Sequence, residues 1–209
     1  MADGRPLAPC CALKVAVVGN RRFAGESDEA PNDAAARMKA QASAACAAVW
    51  QVVVEAIGAA LETSVGTPKA PHGRLHDFFS REKPCLTVLS SLAAGGDQIG
   101  ALTALGAGRA DAGVSVLLEA VLPFSAEDYP GLPGKPRPEF RLGEAQTLID
   151  VARQARQVVR LDGRYGDDGG RQRAYEQARE MVLQHADMVV ATTTRRPGAA
   201  ARARSKRCR

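Results

Sequence analysis

The sequence holds few aromatic side chains, 4% of its 209 residues with a single tryptophan, and its body has no surplus of positive charge. A groove that grips nucleic acid needs basic side chains interleaved with stacking rings, so a specific nucleic-acid partner is not supported. The formal charge is +5, yet residues 192–209 carry seven of the 28 Lys and Arg and no acid, which leaves 21 bases against 23 acids before them and a charge of −2. That basic tail reads as a weak polyanion binder at most. No run of about 18 apolar residues is present to span a bilayer, and the opening "MADGRPLAPCCALKVAVVG" has an acid and an early proline where a secretory leader has its apolar stretch. A cytoplasmic protein without a membrane partner is expected. Five cysteines, an odd number with no C-x-x-C pair, indicate neither a disulfide framework nor a zinc knuckle, and reduced thiols are expected. His72 and His76 have the spacing of a helical zinc pair, but Pro71 and Gly73 put them in a loop, so no metal is expected. Also missing are a G-x-x-x-x-G-K-[ST] loop, since Gly134 and Lys135 run into Pro136, a G-x-G-x-x-G turn after the first strand, and a G-x-S-x-G elbow. An ordinary P-loop ATPase and a standard dinucleotide-binding fold are thereby excluded.

What is present is an alternation. Five short apolar runs read as strands: Leu13–Val18, Leu86–Leu89, Val114–Leu122, Val158–Leu161 and Met188–Ala191. Between them lie helical patterns over about Ala34–Glu62, 97–108, 139–155 and 171–185. Strands alternating with helices imply βαβ units. The fold class predicted is α/β, a Rossmann-like three-layer sandwich with a central, mainly parallel five-stranded sheet. Residues 13–191 form the one domain, after an N-terminal extension over 1–12 and before a basic, disordered tail over 192–209.

Sheets of this kind bind ligands beyond the C-terminal ends of their strands, near the point where strand order reverses. Those ends read "VVGNRRF", "SSLAAGGD", "VLPFSAEDY" and "LDGRYGDDGG". Gly95 and Gly96 turn the second strand into a helix, where bare amides and the helix dipole suit a phosphate; alternatively they only make a tight turn, and Asp97 only caps the helix. Gly19 and Asn20 lead to Arg21 and Arg22, either phosphate-binding guanidiniums or a solvated pair, while Ser90 and Ser91 offer hydroxyls. Pro123 and Phe124, with Tyr129 further on, make either a wall over a base or ribose or a hydrophobic plug under a long loop. Glu176 opens the helix after Tyr175 and reads as a solvated residue; it is the single fallback for a catalytic acid.

With "VAVVGNRR", "LSSLAAGGDQIGA", "AVLPFSAEDY" and "AYEQAREMVLQHADMVVA" in this order, residues 13 to 191 resemble the SLOG superfamily. These Rossmann-like proteins include the LOG cytokinin-activating phosphoribohydrolases, the DNA-processing protein DprA and many bacterial sensor domains. The resemblance implies a nucleotide or nucleotide-derived small molecule as partner, sensed or processed at the rim, with phosphate near Gly95 and Gly96 and near Gly19 to Arg21. No cofactor is implied, and homo-oligomerisation stays open. An enzyme of this kind would be an N-glycoside hydrolase or a phosphoribosyl-type transferase; an interaction domain with a degenerate site is the third reading. The LOG motif P-G-G-x-G-T-x-x-E is absent. Where similar bacterial members continue the last strand into an acidic, glycine-rich stretch, this chain has "TTTRRPGAAARARSKRCR". GC-rich codons for Ala191–Arg209, read one base earlier, can give such a stretch. The expectation is a tail produced by a reading-frame change that contributes nothing to the site.

Overall fold

The computed structural model describes residues 9–20, 33–62, 79–80, 82–110, 113–125, 128–129, 131–132, 135–136, 140, 142–163 and 168–192. Arg21, Arg22, His72, His76 and the tail beyond Thr192 lie outside the described residues. The elements run β1 (Ala12–Gly19), α1 (Asp33–Glu62), β2 (Cys85–Ser90), α2 (Gly96–Ala110), β3 (Ser115–Leu122), β4 (Gly131–Leu132), β5 (Lys135–Pro136), α3 (Leu142–Gln154), β6 (Gln157–Arg160), α4 (Asp168–Gln184) and β7 (Met188–Thr192). Each expected strand and helix is found, with ends shifted by up to a few residues. The two-residue strands β4 and β5 pair antiparallel in the proline- and glycine-rich stretch that the sequence offered only as a loop.

The main sheet has the order β6-β3-β2-β1-β7 and every pairing is parallel. The chain steps outward from β1 through β2 and β3 to β6. α4 then carries it back so that β7 lies on the other side of β1. Strand order therefore reverses between β1 and β7. β7 is anchored at its start by two bonds to Lys14: its amide donates to Asp187 Oδ2 and its carbonyl accepts from the Asp187 amide, both at 2.8 Å.

Alternate residues of each strand face opposite sides. Val15 and Val17, Leu86 and Val88, and Leu118, Ala120 and Leu122 enter the larger core, with Cys46, Trp50 and Val54 of α1, Ile99, Ala101 and Ala104 of α2, and Leu148 and Val151 of α3. Ala16, Leu89 and Val121 enter a smaller cluster covered by Ala178 and Val182 of α4. Three layers result. α2 comes close to the sheet because Gly100 lies directly over Val17 and Gly108 over Val116, with no room for a Cβ at either. α1 is then bolted to α2 by the buried Trp50 indole, which donates to the Gly100 carbonyl at 2.9 Å. Beside it, burial pushes the Cys46 thiol up from its ordinary range.

Over Ala36–Ala59, α1 is long and apolar enough by composition to cross a membrane, which corrects the expectation that no such segment exists. The reason is alanine, which raises mean hydropathy while filling little space. One side of this helix buries Cys46, Trp50 and Val54, while Val49 and Val52 are exposed.

Candidate functional site

β1 and α2 meet back to back. Gly19 ends the strand and Gly96 opens the helix, and a Cβ on Gly19 would come within 2.6 Å of Gly96 Cα, while one on Gly96 would come within 2.8 Å of Gly19 Cα. Thr192 Oγ1 of β7 sits closer still to both positions. These glycines are required by the approach of two backbones. Gly95 is needed for another reason, its φ of 89°, which places it in the left-handed region that favours glycine.

The amides at this junction are engaged. Gly96 N–H donates to the Asn20 carbonyl at 2.9 Å, Asn20 N–H to the Thr192 carbonyl at 3.1 Å, and Ile99 N–H to the Gly95 carbonyl at 3.1 Å. Gly19 N–H donates to Asp97 Oδ1 at 2.7 Å, and Ser91 Oγ donates to Asp97 Oδ2 at 2.6 Å. Asp97, 6% exposed, thus satisfies a strand amide and a loop hydroxyl and ties three segments together. Besides the helix start on which the sequence places it, Asp97 thus reaches across to β1. Ser90 is fully buried behind it, where its hydroxyl accepts the Leu92 amide at 3.1 Å and helps hold Leu92 at a φ of 54°. Gln98 Nε2 extends the network by donating to the carbonyls of Leu92 at 3.2 Å and Glu144 at 3.0 Å.

Above the junction lies an open cleft of about 670 Å³. One wall is Val17 to Asn20 with Ser91, Ala93, Asp97 and Thr192; the other is α4, through Arg171, Gln172, Tyr175, Arg179 and Val182. The cleft stands at the C-terminal ends of β1 and β7, where strand order reverses. Arg171, Tyr175 and Arg179 occupy it together because residues four apart share one side of a helix.

Of the expected residues, Gly19, Asn20, Ser91 and Asp97 line the cleft, while Gly96 packs against Gly19 and Gly95 and Ser90 are not in the lining. Pro123 and Phe124 are not brought to it. Phe124 is fully buried, its ring 5.8 Å from that of Tyr129 and 5.4 Å edge-on from that of Tyr175, and Tyr129 meets Phe140 at 5.0 Å. The loop aromatics are thus the plug and not the wall over a ligand. Glu176 also lies elsewhere: its carboxylate accepts from Gln172 Nε2 at 2.9 Å and borders a shallow groove with Glu180 and Arg179. Thr192 was assigned to a tail without a role. It is a residue of β7 and lines the cleft, so the strand includes it.

Sequence reasoning missed Arg171 and Arg179. The available signal was the spacing of Arg171, Tyr175 and Arg179 at two steps of four within a helical pattern. A scan of the chain against protein-family models finds no match, and a comparison with curated proteins finds none either.

Proposed function

We propose that the chain binds a nucleotide or nucleotide-derived small molecule in the cleft between β1 and α4. One observation carries this reading: an open cavity of about 670 Å³ stands at the strand-order reversal of a parallel sheet, the position at which α/β sheets take their ligands. Supporting it, the cleft presents a hydrogen-bonded carboxylate on one side and two guanidiniums on the other, a polar pairing suited to a molecule with hydroxyls and an anionic group. The sequence resemblance to SLOG proteins supports the same reading, with a bacterial cytoplasm as the proposed setting. Binding without turnover is favoured over N-glycoside hydrolysis: Glu176 is outside the cleft, and the Asp97 carboxylate is occupied in holding Gly19 and Ser91.

Thermal unfolding in the presence of nucleoside monophosphates, diphosphates and free nucleosides tests the reading. A ligand at 100 times its Kd stabilises the native state by about 2.7 kcal/mol, a shift of several degrees. An unchanged melting temperature across the set contradicts it.

A further inference from the structure

We infer that two copies of the chain join through β7, antiparallel about a two-fold axis at Val190, so that their sheets run on as one. β7 ends the sheet, and among the described residues no strand lies beyond it. The apolar layers on both sides of the sheet nevertheless continue into it. Met188 lies beside Val15 and Val190 beside Val17 on the face of the larger core, and Val189 lies beside Ala16 on the face covered by α4. Val15, Ala16 and Val17 are fully buried, whereas Met188 is 47% and Val189 50% exposed. The strand, "MVVAT", also has no lysine or proline, the residues with which edge strands discourage pairing. An uncharged, apolar edge of this kind is a template for another strand.

The backbone fixes the register, and the register fits a second copy. The Thr192 carbonyl accepts from Asn20 N–H at 3.1 Å, so Thr192 turns its main-chain polar groups towards β1. By the alternation of a parallel ladder Val190 and Met188 do the same, and Val189 and Ala191 turn theirs outward. A two-fold axis at Val190 sets Val189 of each copy opposite Ala191 of the other, Met188 opposite Thr192, and Val190 opposite itself. The outward residues meet, and each such pair exchanges two hydrogen bonds; a shift by one residue would set outward against inward. Bulk is matched as well, since Val189 and Met188 face the smaller Ala191 and Thr192. Charge agrees: Asp187, held at the start of the strand by the Lys14 amide, precedes β7, and the bases Arg195 and Arg196 follow it in sequence. Antiparallel pairing brings the acidic approach of one copy to the basic exit of the other, whereas parallel pairing would bring like to like. Thr192 lines the cleft, so Met188 of the second copy comes to its border.

Five residues a side are fewer than the about 20–30 of a standard stable interface, so the dimer is expected to be reversible. Sedimentation velocity of the full chain, from about 2 to about 200 µM, should pass from monomer to dimer. Val189→Pro deletes an outward N–H at an edge position, where proline is tolerated, and Val189→Lys supplies the charge that edge strands use against pairing. Each is expected to remain monomeric over the same range with the circular dichroism of the wild type. Hydrogen exchange on the wild type needs no variant: the amides of Val189 and Ala191 should slow at least about tenfold between the two concentrations, while that of Val190, already turned to β1, does not change. A monomer throughout, with Val189 and Ala191 exchanging at one rate, overturns the pairing and leaves the edge to a strand of another protein. A dimer that survives both substitutions, or forms without slowing Val189 and Ala191, overturns β7 as the joining surface.

Discussion

The two faces of the sheet are built unequally. On one, Trp50, Leu86, Val88, Leu118 and Leu148 interlock beneath three helices. On the other, Ala16, Leu89 and Val121 meet little more than Ala178 and Val182 of a single helix. Burial of apolar area supplies most folding free energy, so the first face holds the domain together. The second face is thin, and at its end the cleft opens between β1 and α4. One wall of that cleft belongs to the well-packed layer, since α2 is locked to β1 by facing glycines and by Asp97. The other wall, the one with the arginines, is held by the aromatic plug through Tyr175 and by a few small side chains. The difference separates the residues that fix the fold from those that face the open cleft.

Substitutions can break or sharpen this contrast. Trp50→Ala is expected to have the largest effect, about 3–5 kcal/mol of lost stability in urea unfolding, because it empties a fully buried site and removes the donor to Gly100. Gly19→Ala follows at about 2–3 kcal/mol, since its methyl would press on Gly96 Cα, a backbone atom that cannot swing aside. Gly96 is constrained in the same way, so its enlargement damages the junction together with any binding. Asp97→Ala should cost about 1.5–3 kcal/mol, because the Gly19 amide loses its acceptor. Val182→Ala, on the thin face, should cost only about 1–2 kcal/mol, and a loss as large as that of Trp50→Ala would show that the two faces are equally important to stability.

The strands and helices were legible because each carries its own period: Val15 and Val17 alternate with Ala16, and the helical patterns between strands are long enough to stand out. The parallel sheet followed from their alternation. The site was legible only in part. Gly19, Ser91 and Asp97 belong to strand ends, which the fold class already marks as a rim, and the cleft is lined by all three. Their roles were not legible, because a glycine that admits a phosphate and a glycine that admits a neighbouring backbone look alike in sequence. Only the positions of Thr192 and Asn20, far away and close by in the chain, decide between them. The arginines of α4 were hidden for a related reason. An exposed helix bears many charges, and nothing local says that α4 crosses the sheet to set Arg171 and Arg179 opposite Asp97. Phe124 misled in the opposite direction, as an aromatic in a loop that turns inward onto Tyr129 and Tyr175.

The central claim, a nucleotide seated between the β1–α2 wall and α4, is tested most directly by titrating isotope-labelled protein with adenosine monophosphate in a nitrogen–proton correlation spectrum. The account predicts concentration-dependent shifts for the backbone amides of Gly19, Asn20, Asp97 and Thr192 and for the guanidinium Nε–H of Arg171 and Arg179, with the amides of Trp50 and Leu148 in the opposite layer unmoved. Shifts confined to residues away from this cleft, or none at saturating nucleotide, would contradict it.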